Sequence, residues 1–312
     1  MTPVSCPALV LAAGLGTRLR PLTDVRAKPA IPVAGEPMIR RIAAWLVRNG
    51  VPDLVVNLHH LPSTLTGVLG DGSDLAARVR YSWEQPIVLG SAGGPRQALD
   101  ILGADPFFIV NGDTLTDLEM AGLARAHAAS GAMVTLALVP NVQPDRYGGV
   151  RIDDDGVVVG FPRRGRAAVG SHHFIGVQMA HATAFRALPA GVRADSIGGL
   201  YDRMLAERPG SIRGYVCEAS FFDVGTASDY WQTSMAIAHR DGVSEVCRGH
   251  SSRIDPSAAV TRSILWDDVD VGAGCVLDAC IVADGVRVPP GSRYERAVLV
   301  PSSGGLRSSP LD

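Results

Sequence analysis

The sequence predicts an α/β protein: a three-layer, mostly parallel sheet with helices on both faces, followed by a short β-solenoid. Two observations carry this prediction. Short continuous apolar runs alternate with helical patterns through the first half of the chain, and residues from Ile254 onward repeat at a spacing of 17. Strands that are apolar throughout belong inside a parallel sheet covered by helices. A repeat of this kind belongs to stacked coils.

The elements follow in order. Ala8–Ala12 is an apolar run ending in a glycine-rich loop, and Met38–Val47 has helical spacing closed by Asn49 and Gly50. Leu54–Leu58 and Val79–Trp83 read as strands, and Ala92–Leu102 reads as a helix. Phe107–Val110 is a buried strand, Leu118–Ser130 a helix and Val134–Val139 a strand. The pattern then changes: Gly149–Ile152 and Val157–Phe161, joined by Asp153–Gly156, read as a hairpin. His173–Met179 is a further strand, with helices expected around Ala182–Leu188 and Gly198–Ala206. Phe221–Gly225 closes a strand and Asp229–Ala238 reads as a helix. Late strands in such a domain commonly form a lid over the carboxyl edge of the sheet.

Three 17-residue blocks align: Ile254–Asp270, Val271–Arg287 and Val288–Gly304. Ile264, Ile281 and Val298 share one column, Leu265, Val282 and Leu299 the next, and the small residues Ser263, Cys280 and Ala297 precede them. One coil cannot bury its own face, so it stacks on neighbours, on the rest of the chain or on another copy. The expected division is a domain over 1–243, a solenoid over 250–304 and a loose Ser-, Gly- and Pro-rich tail over 305–312.

The chain has 312 residues, 46% of them hydrophobic and 19% charged, so it can bury a core without disulfide or metal staples. A formal charge of −2 points to no nucleic-acid or membrane-surface partner. The five cysteines form no CxxC pair, and no run has the length of a membrane span or the form of a leader. Reduced thiols and a cytoplasmic location are the expectation.

The chemistry concentrates after the first strand. Gly14 and Gly16 let backbone approach oxyanions without a Cβ in the way, and Thr17, Arg18, Arg20 and Lys28 add a hydroxyl and cations. The loop is not a dinucleotide fingerprint, because Leu19 stands where the third glycine belongs, and it lacks the Gly-Lys-Ser/Thr of a Walker loop. Asp113 follows the strand Phe107–Val110, and Asp223 sits at another strand end. Either aspartate alone is also an ordinary turn or cap residue.

The segment Leu11-Ala12-Ala13-Gly14-Leu15-Gly16-Thr17-Arg18, continuing through Thr23 to Lys28-Pro29 and Pro32–Pro37, resembles the signature of the nucleoside-diphosphate-sugar pyrophosphorylases. In separate motifs the resemblance runs from about residue 6 to 240, and the C-terminal repeat resembles the left-handed β-helix of many members. It implies a Rossmann-like nucleotidyltransferase fold that takes a nucleoside triphosphate and a sugar-1-phosphate. Arg18 and Lys28 would act on the phosphates, and Asp113 and Asp223 would be ligands of Mg²⁺. Leu11, Ala12, Ala13, Gly14, Gly16 and Thr17 would line the nucleotide, with Glu84, Gly90 and Ser91 against the base.

Gly149 and Gly176 match sugar-site segments of that family. Where many members have Glu-Lys-Pro, this chain reads Phe161-Pro162-Arg163-Arg164-Gly165, so Arg163 or Arg164 is a candidate sugar-phosphate ligand, with an exposed loop arginine the alternative. His172 and His173 lack the neighbours of a metal site. The attacking group would be an ionised phosphate oxygen, so no protein nucleophile or general base is needed. The glycine loop, the Leu89–Gly93 segment and the solenoid together look most like mannose-1-phosphate guanylyltransferases. Glucose-1-phosphate thymidylyl- or uridylyltransferases and a catalytically silent NDP-sugar sensor are the alternatives. A molybdenum-cofactor or phosphocholine nucleotidyltransferase shares the loop, but the hairpin and the solenoid fit sugar substrates better.

Overall fold

The computed structural model describes residues 6–312. The chain forms two compact units. The first gathers residues up to Gly14, Ile42–Pro62 and Leu69–Phe221; the second gathers Leu15–Arg41, Ser63–Val68 and Phe222–Asp312. These units cut across the linear division expected at residue 243. Within the second unit the Arg26 side chain is held by Asp267 and Asp284, the Pro32 carbonyl accepts from the Tyr230 hydroxyl, and the Ala34 N–H donates to Ser234 Oγ.

The first unit is built on a seven-stranded sheet. Its strands are β1 (Ala8–Leu11), β2 (Asp53–Leu58), β3 (Arg78–Trp83), β4 (Phe107–Asn111), β5 (Val134–Pro140), β6 (His172–Ala180) and β7 (Ile212–Val216). Across the sheet they run β7-β5-β6-β4-β1-β2-β3, and only β6 is antiparallel to its neighbours. β1 is central: Leu9 pairs with Val55 on one side and Ile109 on the other, and Ala8, Leu9 and Val10 are buried. Apolar side chains on both faces are what such a position requires.

Helices form where the sequence places them, with small changes at the ends. Met38–Arg48 stops at Gly50 in the left-handed region, Gly90–Leu102 stops at Gly103, and Met120–Ser130 stops at Gly131. Arg151–Ile152 and Val158–Gly160 form the expected antiparallel hairpin. Strand β7 and the helix Pro62–Leu69 were not legible in the sequence. The core on one face of the sheet joins Leu9, Val55, Ile109 and Leu136 to Ala92, Ala98, Leu99 and Leu102 of the helix Gly90–Leu102 and to Phe185 and Tyr201.

In the second unit the 17-residue repeat becomes parallel pairing in register. Cys247, Ile264, Ile281 and Val298 are successive partners in one sheet, Arg253, Asp270 and Arg287 in a second, and Ala259, Val276 and Arg293 in a third. The corners repeat as well: Arg262, Ala279 and Arg296 all have φ between 44° and 52°. Leu265, Leu277, Val282 and Leu299 fill the coil interior with Cys275 and Cys280. Pairing starts at Cys247, three residues before the expected boundary.

The loose tail is corrected. Gly305–Pro310 is a strand, antiparallel to Ala297–Ser302 from Ser302–Gly305 to Ala297–Pro310, and Leu311 is buried. Its composition reads as disorder, but its backbone N–H and C=O groups satisfy the open edge of the last coil.

A buried histidine yields a test of the first unit. His127 is 2% exposed, its Nδ1 is 2.8 Å from Thr135 Oγ1, and its Nε2 is buried without a partner. Burial, with His181 stacked beside it, pushes its pKa down to about 4. The unfolded chain then binds a proton that the folded chain refuses, so stability should fall as pH drops from about 6.5 to about 4. The loss should be on the order of 3 kcal/mol. In urea titrations across that window, His127→Gln should show a correspondingly flatter dependence than the parent; equal slopes would overturn the assignment.

Candidate active site

In the first unit, the end of β1 is organised by a side chain the sequence reading passed over. Asn57 is 3% exposed near the end of β2, and its Oδ1 accepts the N–H of Ala12 (2.5 Å) and of Ala13 (3.2 Å). Its Nδ2 donates to Glu84 Oε1 (2.7 Å), while Glu84 Oε2 accepts the N–H of Leu89 (2.7 Å). Ala12 and Ala13 belong to the segment expected to line the nucleotide. The structure turns both N–H groups inward, because a buried amide oxygen is there to receive them. Glu84 likewise has both oxygens engaged and is 1% exposed. Burial raises its pKa, opposed by the Leu89 N–H, the Asn57 amide and His59. Both carboxylate oxygens thereby tie β2 to the loop at Leu89. The polar residue within the apolar run Leu54–Leu58 was the available signal for Asn57.

The loop Leu89–Gly93 is held by a second strap. Ala92 and Gly93 donate to the Ala194 carbonyl (2.9 and 3.0 Å), Ala194 donates to Leu89, and Ser196 N–H donates to Ser91 Oγ (2.8 Å). Any Cβ on Gly90 would lie 2.6 Å from Asp195 Oδ1. The Ser91 hydroxyl therefore engages Ser196.

On the other side of β1, Gly112 N–H donates to the Leu11 carbonyl (2.9 Å), which brings the Asn111–Asp113 turn to the end of β1. Asp113 is half-buried there. The register of β6 on β5 shifts between Phe174 and Gln178, around Gly176. Gly176 has φ +79°, and a Cβ there would lie 2.7 Å from Asn111 Nδ2. Gly149 is fixed by packing: its N–H donates to Pro162, and a Cβ would overlap Ser171. Arg163 and Arg164 are exposed.

Tyr147, His173 and Phe221 form an aromatic cluster, with ring centroids 4.2 Å (Tyr147–His173) and 4.8 Å (His173–Phe221) apart and Arg146 5.0 Å over Tyr147. Burial lowers the His173 pKa, with a hydrogen bond to the Gly148 backbone opposing and Arg146 reinforcing. Sequence spacing gave no sign of this cluster.

The second unit holds the cations. Gly16 has φ +61° and opens a 3-10 turn, Thr17–Leu19. A Cβ on it would lie 2.7 Å from Thr23 Cγ2 and 3.3 Å from Lys28 Cβ, and Thr23 Oγ1 donates to its carbonyl (3.0 Å). Gly16 is thus required by packing, and the Lys28 stem forms part of that packing. Lys28 is 8% exposed; Thr17 and Arg18 are exposed.

Asp223 ends the strand Phe221–Asp223, and Thr226 and Asp229 form a capping box on the helix Ala227–Arg240. Between them lies Gly225, where a Cβ would be 3.3 Å from Arg18 Nη1, 3.4 Å from Asp223 Oδ2 and 2.9 Å from Asp229 Oδ2. The structure therefore brings Arg18 and Asp223 to one bare stretch of backbone, with Asp113 in the other unit. Among the described residues no group of three or more His, Cys, Asp or Glu could hold a metal, and no helix is long and apolar enough to cross a membrane.

Comparison with known proteins adds family context. The nucleotidyl transferase family model matches residues 7–240, and a model described as GlmU-like, C-terminal hexapeptide matches residues 226–294. The chain is 28% identical over 298 residues to mannose-1-phosphate guanylyltransferase of Mycobacterium tuberculosis, covering 93% of this chain and 83% of that one. It is 26% identical to UTP–glucose-1-phosphate uridylyltransferase of Synechocystis, covering 90% and 76%. It is 45% identical over 112 residues to N-acetylmuramate alpha-1-phosphate uridylyltransferase of Neisseria meningitidis, covering 36% and 48%. The crystal structure of HddC from Yersinia pseudotuberculosis shares the fold, with TM-score 0.65 and 22% identity over 74% of this chain and 99% of that one.

The Asn57–Glu84 bracket gives a stability test. Glu84 accepts from two donors, and glutamine in its place would turn an N–H₂ toward one of them. Glu84→Gln should therefore lower stability by about 1–3 kcal/mol in urea unfolding. An unchanged midpoint would show that the bracket does not hold the loops.

Proposed function

The chain belongs to the nucleotidyl transferase family, and on that premise we propose that it transfers a nucleotidyl group from a nucleoside triphosphate to a sugar-1-phosphate. An oxygen of the sugar phosphate forms a bond to the α-phosphorus, the bond from that phosphorus to the β-phosphate oxygen breaks, and pyrophosphate leaves. The supporting observation is the meeting of Arg18 and Asp223 at Gly225, with Arg18 carried by the Gly16 turn that also packs the Lys28 stem.

The nucleophile is already ionised, so the protein's work is alignment and charge stabilisation. Arg18 would neutralise charge arriving on the departing pyrophosphate, and Lys28 would bind the phosphates. Gly14 suits close approach: it is exposed, and nothing lies within 4 Å of where its Cβ would be. Asp113 and Asp223 are the proposed ligands of Mg²⁺. Carboxylate oxygens suit this hard cation, which would take its remaining ligands from phosphate and water. When bound, the ion would draw charge from the phosphate oxygens. Gly149, Gly176 and the exposed Arg163 and Arg164 remain the proposed sugar-phosphate side.

For the substrate pair we favour GTP and mannose-1-phosphate, supported by the guanylyltransferase relative that covers 93% of the chain. Uridylyl transfer is the second reading, favoured by 45% identity to a uridylyltransferase over 112 residues.

Pyrophosphate release over a grid of four triphosphates and several sugar-1-phosphates, with Mg²⁺, tests both levels. Turnover highest with GTP and mannose-1-phosphate is the expected result. A preference for UTP would select the second reading, and no turnover with any pair would overturn the enzyme assignment. Asp113→Asn should abolish turnover with the fold intact by circular dichroism, and Arg18→Met should lower kcat by roughly 10²–10³. Retained activity in either would remove that residue from the mechanism.

A further inference from the structure

We propose that the solenoid positions the phosphate-binding segment through Arg26, with Asp267 and Asp284 as its fixed points and Lys28 as the group positioned. This rests on the reading of Lys28 as a phosphate ligand. All the residues concerned lie in the second unit.

Arg26 is 8% exposed although its charge is permanent. Its Nε and Nη2 donate to both oxygens of Asp284 (2.6 and 2.7 Å), and Nη2 also donates to Asp267 (2.5 Å). The two aspartates stand 17 residues apart, in one column of successive coils, and Asp267 N–H donates to Asp284 Oδ1 (3.0 Å). The guanidinium also lies 5.5 Å over the ring of Trp266, which is fully buried and donates from Nε1 to the Tyr230 hydroxyl (2.9 Å). Tyr230 in turn donates to the Pro32 carbonyl (2.5 Å). The stretch from Arg26 to Pro32 is therefore held at both ends by side chains of the solenoid and of the helix before it, and Lys28 lies between the two anchors.

Little slack exists inside that stretch. Lys28–Ala30 is a single 3-10 turn, Ala27 N–H donates to Thr64 Oγ1 (3.1 Å), and Ile31 N–H donates to the Lys28 carbonyl (3.2 Å). A shift at Arg26 must move the Lys28 backbone, and with it the Lys28 stem packed under Gly16. A simple staple would need only charge and burial. A bidentate grip two residues from the proposed phosphate ligand, with a second anchor four residues beyond it, sets a position.

Arg26→Lys keeps the charge but cannot make the two-pronged bond, and Asp284→Asn weakens it from the solenoid side. Each should lower kcat tenfold or more, with the sugar-1-phosphate KM changed less than threefold. The double variant should be little worse than either single one. Asp278→Asn, which breaks the solenoid's exposed pair with Arg262, is the control and should leave kcat unchanged.

Assays run well below each variant's Tm separate the alternatives. A lowered Tm with unchanged kcat in Arg26→Lys and Asp284→Asn would reduce the contact to a staple and overturn the proposal. If the parent turns over no substrate pair, the enzyme reading fails separately, and amide hydrogen exchange then decides. Faster exchange over residues 16–31 in Asp284→Asn supports positioning, and unchanged exchange there overturns it.

Discussion

A parallel strand that ends in a loop at the sheet's carboxyl edge must hand its last backbone N–H groups to a partner, and here that partner is one amide side chain. Asn57 receives Ala12 and Ala13 through its oxygen and holds Glu84 through its nitrogen, and Glu84 holds Leu89. The chain of bonds has one direction only, because Glu84 can accept but not donate while ionised. That fixes the orientation of the Asn57 amide. It also sets the loop after β1 and the loop before the helix Gly90–Leu102 relative to one another. Buried polar groups of this kind are costly when half satisfied and strongly specifying when complete, and the ends of three neighbouring strands depend on this one being complete.

The second unit solves a different problem. A three-coil solenoid has open edges and faces, and the chain closes them in distinct ways. The strand Gly305–Pro310 takes the edge of the last coil, and Trp231 Nε1 from the helix Ala227–Arg240 donates to the Arg262 carbonyl at a corner. The Tyr230–Trp266 pair ties that helix to the coils through a hydrogen bond and an edge-on ring contact. Residues 15–41 join the same unit because Arg26 and Pro32 reach these groups. The helix that follows the proposed metal-ligand strand and the turn that carries the cations thus share one set of supports.

Legibility in the sequence followed how local the determinant was. The apolar runs of β1, β2 and β4 and the 17-residue columns are local patterns, so they gave strand positions, and the columns matched the pairing register of the coils. Gly16, Arg18 and Lys28, the proposed phosphate-binding group, were readable as a cluster because they are close in sequence. Asn57, Glu84 in its supporting role and the Tyr147–His173–Phe221 cluster were not, because each needs at least one partner 25 or more residues away. The tail failed for the same reason. Serine, glycine and proline mark an exposed segment, but only the presence of Ala297–Ser302 beside it decides whether that segment pairs. Only the family resemblance singles out Asp113 and Asp223 as proposed metal ligands; strand-end position alone leaves them as ordinary turn residues.

Three arginines within nine residues show how environment divides one residue type among tasks. Arg20 is paired at the surface with Asp24 (3.2 Å), a contact of small energetic weight. Arg26 is buried, and burial of a guanidinium is tolerable only with carboxylates to match it; two aspartates and an indole face are assembled for that purpose. A guanidinium so occupied has little left for a phosphate. Arg18 is exposed at the bare backbone of Gly225, with its donors directed to a region where a side chain at 225 would intrude. The same guanidinium chemistry therefore supports a surface turn at one position, anchors a segment at another and stands exposed beside bare backbone at the third, where an anionic ligand is proposed. The glycine at 225 is what keeps the third position open.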